Sequence, residues 1–287
     1  MTLKVEETRF SLPHVELAAH LFGSEDGIPV IALHGWLDNA MTFARLAPKL
    51  EGLRIVALDF PGHGHSGHYA SNSSYSMWEY LEDVLLVAEQ LGWQRFSLLG
   101  HSLGGIISTL LAAAVPERVE RLALIDGLVP YTAEADSAPK RLGEALRARL
   151  AVRDKQKPVY PDLDTAVQAR MRGVVAVSHE AAELLAQRGL EPVPGGYTWR
   201  TDIRLTLPSV MRLTFAHVEQ FVRAVQCPVS LILAEGGQMN VEPRLKSLIE
   251  QTSFATRILP GGHHLHLNDE TGAQQVADCF NPFFRRA

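Results

Sequence analysis

The chain has 287 residues, 46% of them hydrophobic and 21% charged, with a formal net charge of −5. That length is enough for one large α/β domain, or for a core carrying an insertion. The acidic balance and the lack of any long basic run argue against nucleic acid as the main partner.

Met1 to Phe10 mixes charged and apolar residues and lacks the apolar core of a signal peptide. Thr8 to Leu12 and Val15 to Leu21 predict the two strands of an opening hairpin. Pro29-Val30-Ile31-Ala32-Leu33 is a continuous apolar run, the pattern of a strand covered on both faces, and it ends in His34-Gly35-Trp36. Ala40 to Leu50 predicts a helix with Asn39 as its cap. Arg54 to Leu58 is another buried strand. It leads into Asp59-Phe60-Pro61-Gly62-His63-Gly64-His65-Ser66-Gly67, whose glycines require a loop. Ser76 to Leu91 has helical spacing and stops at Gly92, a favoured residue just past a helix end.

Arg95 to Leu99 is the next strand. It runs into Gly100-His101-Ser102-Leu103-Gly104-Gly105 and then an alanine- and leucine-rich helix to Val115, ended by Pro116. A serine at the apex of a strand-to-helix turn, with glycines two residues either side, is held in a strained, exposed conformation. The turn also sets the Leu103 N–H at a helix N-terminus, where partial positive charge can hold a developing oxyanion. Leu98 to Val115 is apolar enough to imitate a membrane span, but the glycines, His101 and Ser102 interrupt it, so no span is expected. Arg121 to Ile125 is a strand closing with Asp126-Gly127. Alternating strands and helices to this point imply a parallel sheet with helices on both faces.

From Leu128 the rhythm changes. Glu134 to Lys157 and Asp164 to Arg188 are charged and helix-forming, and Glu191 to Ser209 is rich in proline and glycine. Residues 128–215 therefore predict a helical insertion over the sheet end, leaving 1–127 and 216–287 as the core. The alternation resumes with a helix to Val225, a strand Val229 to Leu233, a helix Glu242 to Gln251 and a strand Thr256 to Leu259. A loop Pro260-Gly261-Gly262-His263-His264-Leu265-His266 follows, then a last helix to about Phe284. Cys227 and Cys279 have no metal-binding spacing, which fits reduced thiols in a cytoplasmic protein.

Ligands in open α/β sheets bind at the carboxyl ends of the strands, and several of those ends carry reactive residues here. Ser102 needs a base, because an unaided hydroxyl is a poor nucleophile. His263, after the last strand, is the best candidate, and a third group must orient its ring. Asp126 and Glu235 both end strands between the serine and the histidine. Either gives the chain order serine, acid, histidine.

These motifs resemble the α/β-hydrolase family over nearly the whole chain. The likeness rests on His34-Gly35-Trp36, Asp59-Phe60-Pro61-Gly62-His63-Gly64-His65-Ser66, Gly100-His101-Ser102-Leu103-Gly104-Gly105 and Gly262-His263-His264-Leu265-His266, in order at strand ends. Within the family the chain is most similar to the serine hydrolase-like proteins. The resemblance implies a mostly parallel eight-stranded sheet flanked by helices, with a helical cap inserted after the sixth strand. It implies Ser102 as nucleophile, His263 as base, an oxyanion hole from the Trp36 and Leu103 N–H groups, and residues 128–215 as a cap shaping the pocket. In one respect the chain departs from many relatives: Gln238 falls where they carry the acid. Other members carry it at the end of the sixth strand, which favours Asp126 over Glu235.

The resulting expectation is a soluble, cofactor-free serine hydrolase acting on a carboxylic ester or related acyl bond of a small organic substrate. Thioester, lactone or carbon–carbon hydrolysis and perhydrolysis are alternatives, as is ligand binding without turnover. His63, His65 and His68 have a spacing used by some metallohydrolases, with His263, His264 and His266 as further candidate ligands. Glycine at position 67, where such motifs usually carry aspartate, argues against a metal.

Overall fold

The computed structural model describes residues 6–152, 155–237 and 243–285. Its frame is set by short apolar runs that are buried on both faces. Strands β1 (Glu6–Ser11), β2 (Glu16–Gly23), β3 (Ile28–Leu33), β4 (Leu53–Leu58), β5 (Phe96–His101), β6 (Val119–Ile125), β9 (Val229–Gly236) and β10 (Ala255–Gly262) form one eight-stranded sheet. Their order is β1-β2-β4-β3-β5-β6-β9-β10. β1 pairs antiparallel with β2, and β2 with β4; every other pairing is parallel. β3 has β4 on one side and β5 on the other, so the chain reverses its direction of travel across the sheet there. The loops after β3 and β5 meet at that crevice.

Side chains alternate between two cores. Ile31, Leu33, Val56, Leu58 and Leu98 face one, with α1 (Met77–Gln90) and α2 (Leu103–Ala114) packed over it. Val30, Ala32, Ile55, Ala57 and Leu99 face the other, covered by the C-terminal helix Glu270–Arg285 through Val276, Ala277, Phe280 and Phe284. Burial of Phe280 and Phe284 contributes about 1.5–3 kcal/mol each, which anchors the C-terminal helix. Ser76 and Glu79 close a reciprocal capping box at the start of α1.

Ala40 to Leu50 does not form the expected helix. It forms two short 3₁₀ turns, Ala40–Phe43 and Ala47–Lys49. Pro48 is the reason: it has no N–H to donate and its ring would clash with the carbonyl of Ala44 in a continuous helix. Asn39 does cap the first turn, accepting a 3.0 Å hydrogen bond from the Met41 N–H.

The segment between β6 and β9 carries α3 (Ala138–Ala151), α4 (Leu163–Met171), α5 (His179–Gly189) and α6 (Phe215–Ala224). It is not wholly helical. β7 (Leu190–Val193) and β8 (Gly196–Trp199) form a separate antiparallel pair, and Tyr160 adds a bridge to Tyr197. Pro192 and Pro194 exclude helix there, and the turn needs Gly195 and Gly196, both at positive φ. A third apolar cluster joins the segment to the core, with Val167, Ala181, Ala182 and Leu185 against Met41 and Leu267. Hydrogen bonds reinforce the join, from the Asn39 side chain to the Leu185 carbonyl and from Ser178 to the Asn268 carbonyl. Buried Arg188 donates to Asp59 at 2.7 Å.

Among the described residues no helix is long and apolar enough to cross a membrane. Cys227 and Cys279 are unpaired, and burial pushes the Cys227 thiol up to about 11.

Candidate active site

Ser102 stands between β5 and α2 with φ 52° and ψ −115°, a backbone region that side chains rarely occupy. Its neighbours hold it there. The Ser102 N–H extends the sheet ladder to the Ile125 carbonyl at 3.1 Å, and the Gly104 N–H reaches the His34 carbonyl at 3.0 Å. A β-carbon at Gly104 would lie 1.9 Å from the Leu33 carbonyl oxygen, and one at Gly100 would lie 2.5 Å from that of Gly104. The glycines therefore serve the close approach of three backbone segments around the turn.

His263 follows β10 and is almost fully buried. Its Nδ1 lies 2.5 Å from Asp126 Oδ2. An ionised carboxylate only accepts, so Nδ1 carries the proton and Nε2 is left as the basic nitrogen. Asp126 ends β6 at φ 42°, and its other oxygen accepts from the Ala234 N–H at 3.2 Å. Glu235 is exposed, and His263 is paired with Asp126. Position 238 lies outside the described residues.

Ser102 and His263 line one cavity of about 510 Å³. Its walls are mostly apolar, with Met77, Leu103, Ile106, Val174 and Leu207 among them. Trp36 and Leu103 also line an adjoining, larger cleft of about 1120 Å³ that is rich in serine. Leu103 begins α2, so its N–H has no acceptor within the helix. The Trp36 ring donates to the Leu205 carbonyl at 3.0 Å. Tyr197 and Trp199 line neither space.

The histidines in the surrounding loops brace backbone. Donation from His34 Nδ1 to the Gly35 carbonyl at 2.7 Å leaves Nε2 to accept from the Phe60 N–H at 2.9 Å. His63 likewise spans the Pro61 carbonyl and the Leu37 N–H. Burial pushes His34 down to about 4; burial and nearby His34 push His63 down to about 3. Both are neutral rings. Asp59 accepts from the Ala40 and His65 N–H groups, each at 2.7 Å.

A second carboxylate–histidine pair adjoins the first, with Asp38 as the partner of His264. His264 Nε2 lies 3.0 Å from Asp38 Oδ2, while Arg170 of α4 donates to Asp38 Oδ1 at 2.7 Å. His101 donates from Nε2 to the His263 carbonyl at 3.0 Å. Burial alone would raise the Asp38 carboxyl, but His264, Arg170 and His101 together hold it well below the usual carboxylate range. The one signal for Asp38 was its place two residues after Trp36. Arg170, in an ordinary charged helix, had none.

His63, His65 and His68 do not converge: the last two pair with Glu7 and with the Arg200 carbonyl. Among the described residues the metal-type ligands that do converge are Asp38, His101 and His264, within 4.8 Å of one another. There Arg170 already supplies a cation to the carboxylate.

Comparison with known proteins agrees with this architecture. Residues 28–172 match the model of the alpha/beta hydrolase fold family. A human protein called serine hydrolase-like protein 2 is 32% identical, over 98% of this chain and 94% of its own. The crystal structure of a hypothetical protein from Pseudomonas aeruginosa PAO1 is 71% identical, with a TM-score of 0.96 over 98% of this chain and all of that one. A thioesterase domain from the curacin biosynthetic pathway superposes with a TM-score of 0.80 at 25% identity, covering 95% of this chain and 98% of that one. Sheet order, the turn at Ser102 and these likenesses agree: the chain is a hydrolase belonging to the α/β-hydrolase family.

Proposed function

We propose that the chain is a serine hydrolase that cleaves a carboxylic ester or related acyl bond of a small organic substrate through an acyl-enzyme. The observation that carries this is the 2.5 Å pairing of His263 Nδ1 with Asp126, with His263 and Ser102 in one cavity. Asp126 keeps the ring in the tautomer whose Nε2 is free to take a proton, and stabilises the imidazolium once it forms.

The steps use only groups of this chain and water. His263 Nε2 takes the Ser102 proton as Oγ attacks the acyl carbon. The negative charge moves to the carbonyl oxygen, held by the N–H groups of Trp36 and Leu103 at the positive end of α2. The intermediate collapses, the leaving group departs with the proton from His263, and the acyl group stays on Ser102. Water, deprotonated by His263, then repeats the addition and releases the acid. The 128–215 segment acts as the cap, contributing Val174, Val175 and Leu207 to the acyl-binding wall.

The test is intact-mass analysis after exposure to a fluorophosphonate. One adduct on the native chain, absent from Ser102→Ala, is the expected result. No adduct on folded native protein would sink the proposal. Thioesters are a second reading, favoured by the likeness to a thioesterase domain. Parallel assays of an oxygen ester and a thioester of the same acyl group distinguish the two.

A further inference from the structure

We infer that Arg170 is a positioning residue for the base His263, acting through Asp38 and His264 and coupling the docking of the 128–215 segment to alignment of the site. The inference rests on the serine-hydrolase reading above.

The chain of contacts is short and buried. Arg170 Nη2 donates to Asp38 Oδ1 at 2.7 Å, and Asp38 Oδ2 meets His264 Nε2 at 3.0 Å. The side chains of Asp38 and His264 are 1% and 3% exposed, and that of Arg170 is 12% exposed. His264 is the covalent neighbour of His263. Its ring is held by Asp38 while the His263 ring is held by Asp126, with the two ring planes at 87°. Two carboxylates thus grip consecutive residues from different directions. The His101 ring fixes the peptide between them by donating to the His263 carbonyl. Rotation of the His263 loop would break all three contacts.

Arg170 is the member of this set that comes from the inserted segment. Asp38 sits two residues beyond Trp36, so the same carboxylate ties together the loop of an oxyanion donor and the loop of the base. Arg170 also donates from Nη1 to the Val175 carbonyl at 2.9 Å, and Val175 lines the cavity. When the segment is seated, one guanidinium supports the acyl-binding wall and the base together. Without that guanidinium Asp38 loses its cation, and the grip on His264 weakens with it.

The experiment compares native protein with Arg170→Gln, Arg170→Lys, His264→Asn and the Arg170→Gln/His264→Asn pair. Readouts are p-nitrophenyl butyrate kinetics, the rate of fluorophosphonate labelling at Ser102, and thermal melting to show that each variant is folded. Misalignment of a base by about 1 Å costs up to a hundredfold, so Arg170→Gln should lower kcat and the labelling rate by about ten- to a hundredfold with KM little changed. Arg170→Lys should recover part of the loss, and remains informative if Arg170→Gln does not fold. The double variant should be no worse than the poorer single one, because both residues lie on one path. A rise in KM alone, an unchanged labelling rate, or additive losses would overturn the inference while leaving the serine-hydrolase reading intact. Absence of labelling on the native protein would remove both.

Discussion

Gly237 and Asp126 approach so closely that a β-carbon on Gly237 would lie 2.4 Å from each carboxylate oxygen of the aspartate. The loop after β9 is wrapped over the acid, and only a residue without a side chain leaves that acid in place. Gly237→Ala should therefore displace Asp126 from His263. Turnover should fall by on the order of a hundredfold, as expected of a misplacement near 1 Å. A crystal structure of the variant with the His263–Asp126 bond unchanged would contradict the argument.

The two candidate acids make opposite predictions. Asp126→Asn keeps the shape but lets an amide donate to Nδ1, favouring the wrong tautomer, and should cost about 10⁴ in kcat. Glu235→Gln, at an exposed position, should leave kcat within about twofold. Steady-state kinetics on the two variants decide between them.

Strain at Ser102 is separable from its chemistry. Ser102→Ala removes the hydroxyl but retains a β-carbon at φ 52°. Ser102→Gly removes both, relieving strain on the order of 1–3 kcal/mol against an unfolded-state entropy cost of about 0.5–1 kcal/mol. Both variants should be inactive, and calorimetry should find the glycine variant melting above the alanine one. A glycine variant melting below the alanine one would mean that the turn is unstrained.

Neutral buried histidines set the acid limit of stability. Burial, with nearby His264, pushes His266 down to about 3, while burial leaves His34 at about 4 and His63 at about 3, all from an ordinary value of 6.5. Between pH 6.5 and those values the unfolded chain binds protons that the folded chain refuses. Stability therefore falls as pH drops through that window, by about 1.4 kcal/mol per pH unit for each ring fully engaged. Asp38, held low in the fold, adds a loss that begins as pH falls below the ordinary aspartate value of 3.8. Urea titrations from pH 7 to pH 4 should show this slope, and His63→Gln should flatten it if the variant folds.

The strands were legible because a parallel sheet covered on both faces demands largely apolar runs, and β3, β4, β5 and β9 supply them, interrupted only by Arg54, Ser97 and Ser230 before their polar ends. That Ser102 and His263 line one cavity was legible because both stand at the carboxyl ends of strands in one sheet. Chain order left Asp126 and Glu235 both open and only the resemblance favoured Asp126, which in the fold is the one paired with His263. Asp38 and Arg170 were missed for a related reason. A charge on a helix such as Leu163–Met171 acquires its partner only when the helix docks, and docking has no local pattern. Ala40 to Leu50 departs from the expected helix because Pro48 breaks it into two turns.

β6 and β9 are hydrogen-bonded neighbours, with Ile125 opposite Ile232, although the segment from Asp126 to Pro228 separates them in the chain. The excursion leaves and re-enters the sheet at adjoining strands, so its length is nearly decoupled from the register beneath it. Each doubling of such a loop costs only about 0.6 kcal/mol in closure entropy. The stretch can therefore change in length while the strand register under Ser102 and His263 stays fixed, provided the contacts of Arg170 with Asp38 and of Arg188 with Asp59 are kept.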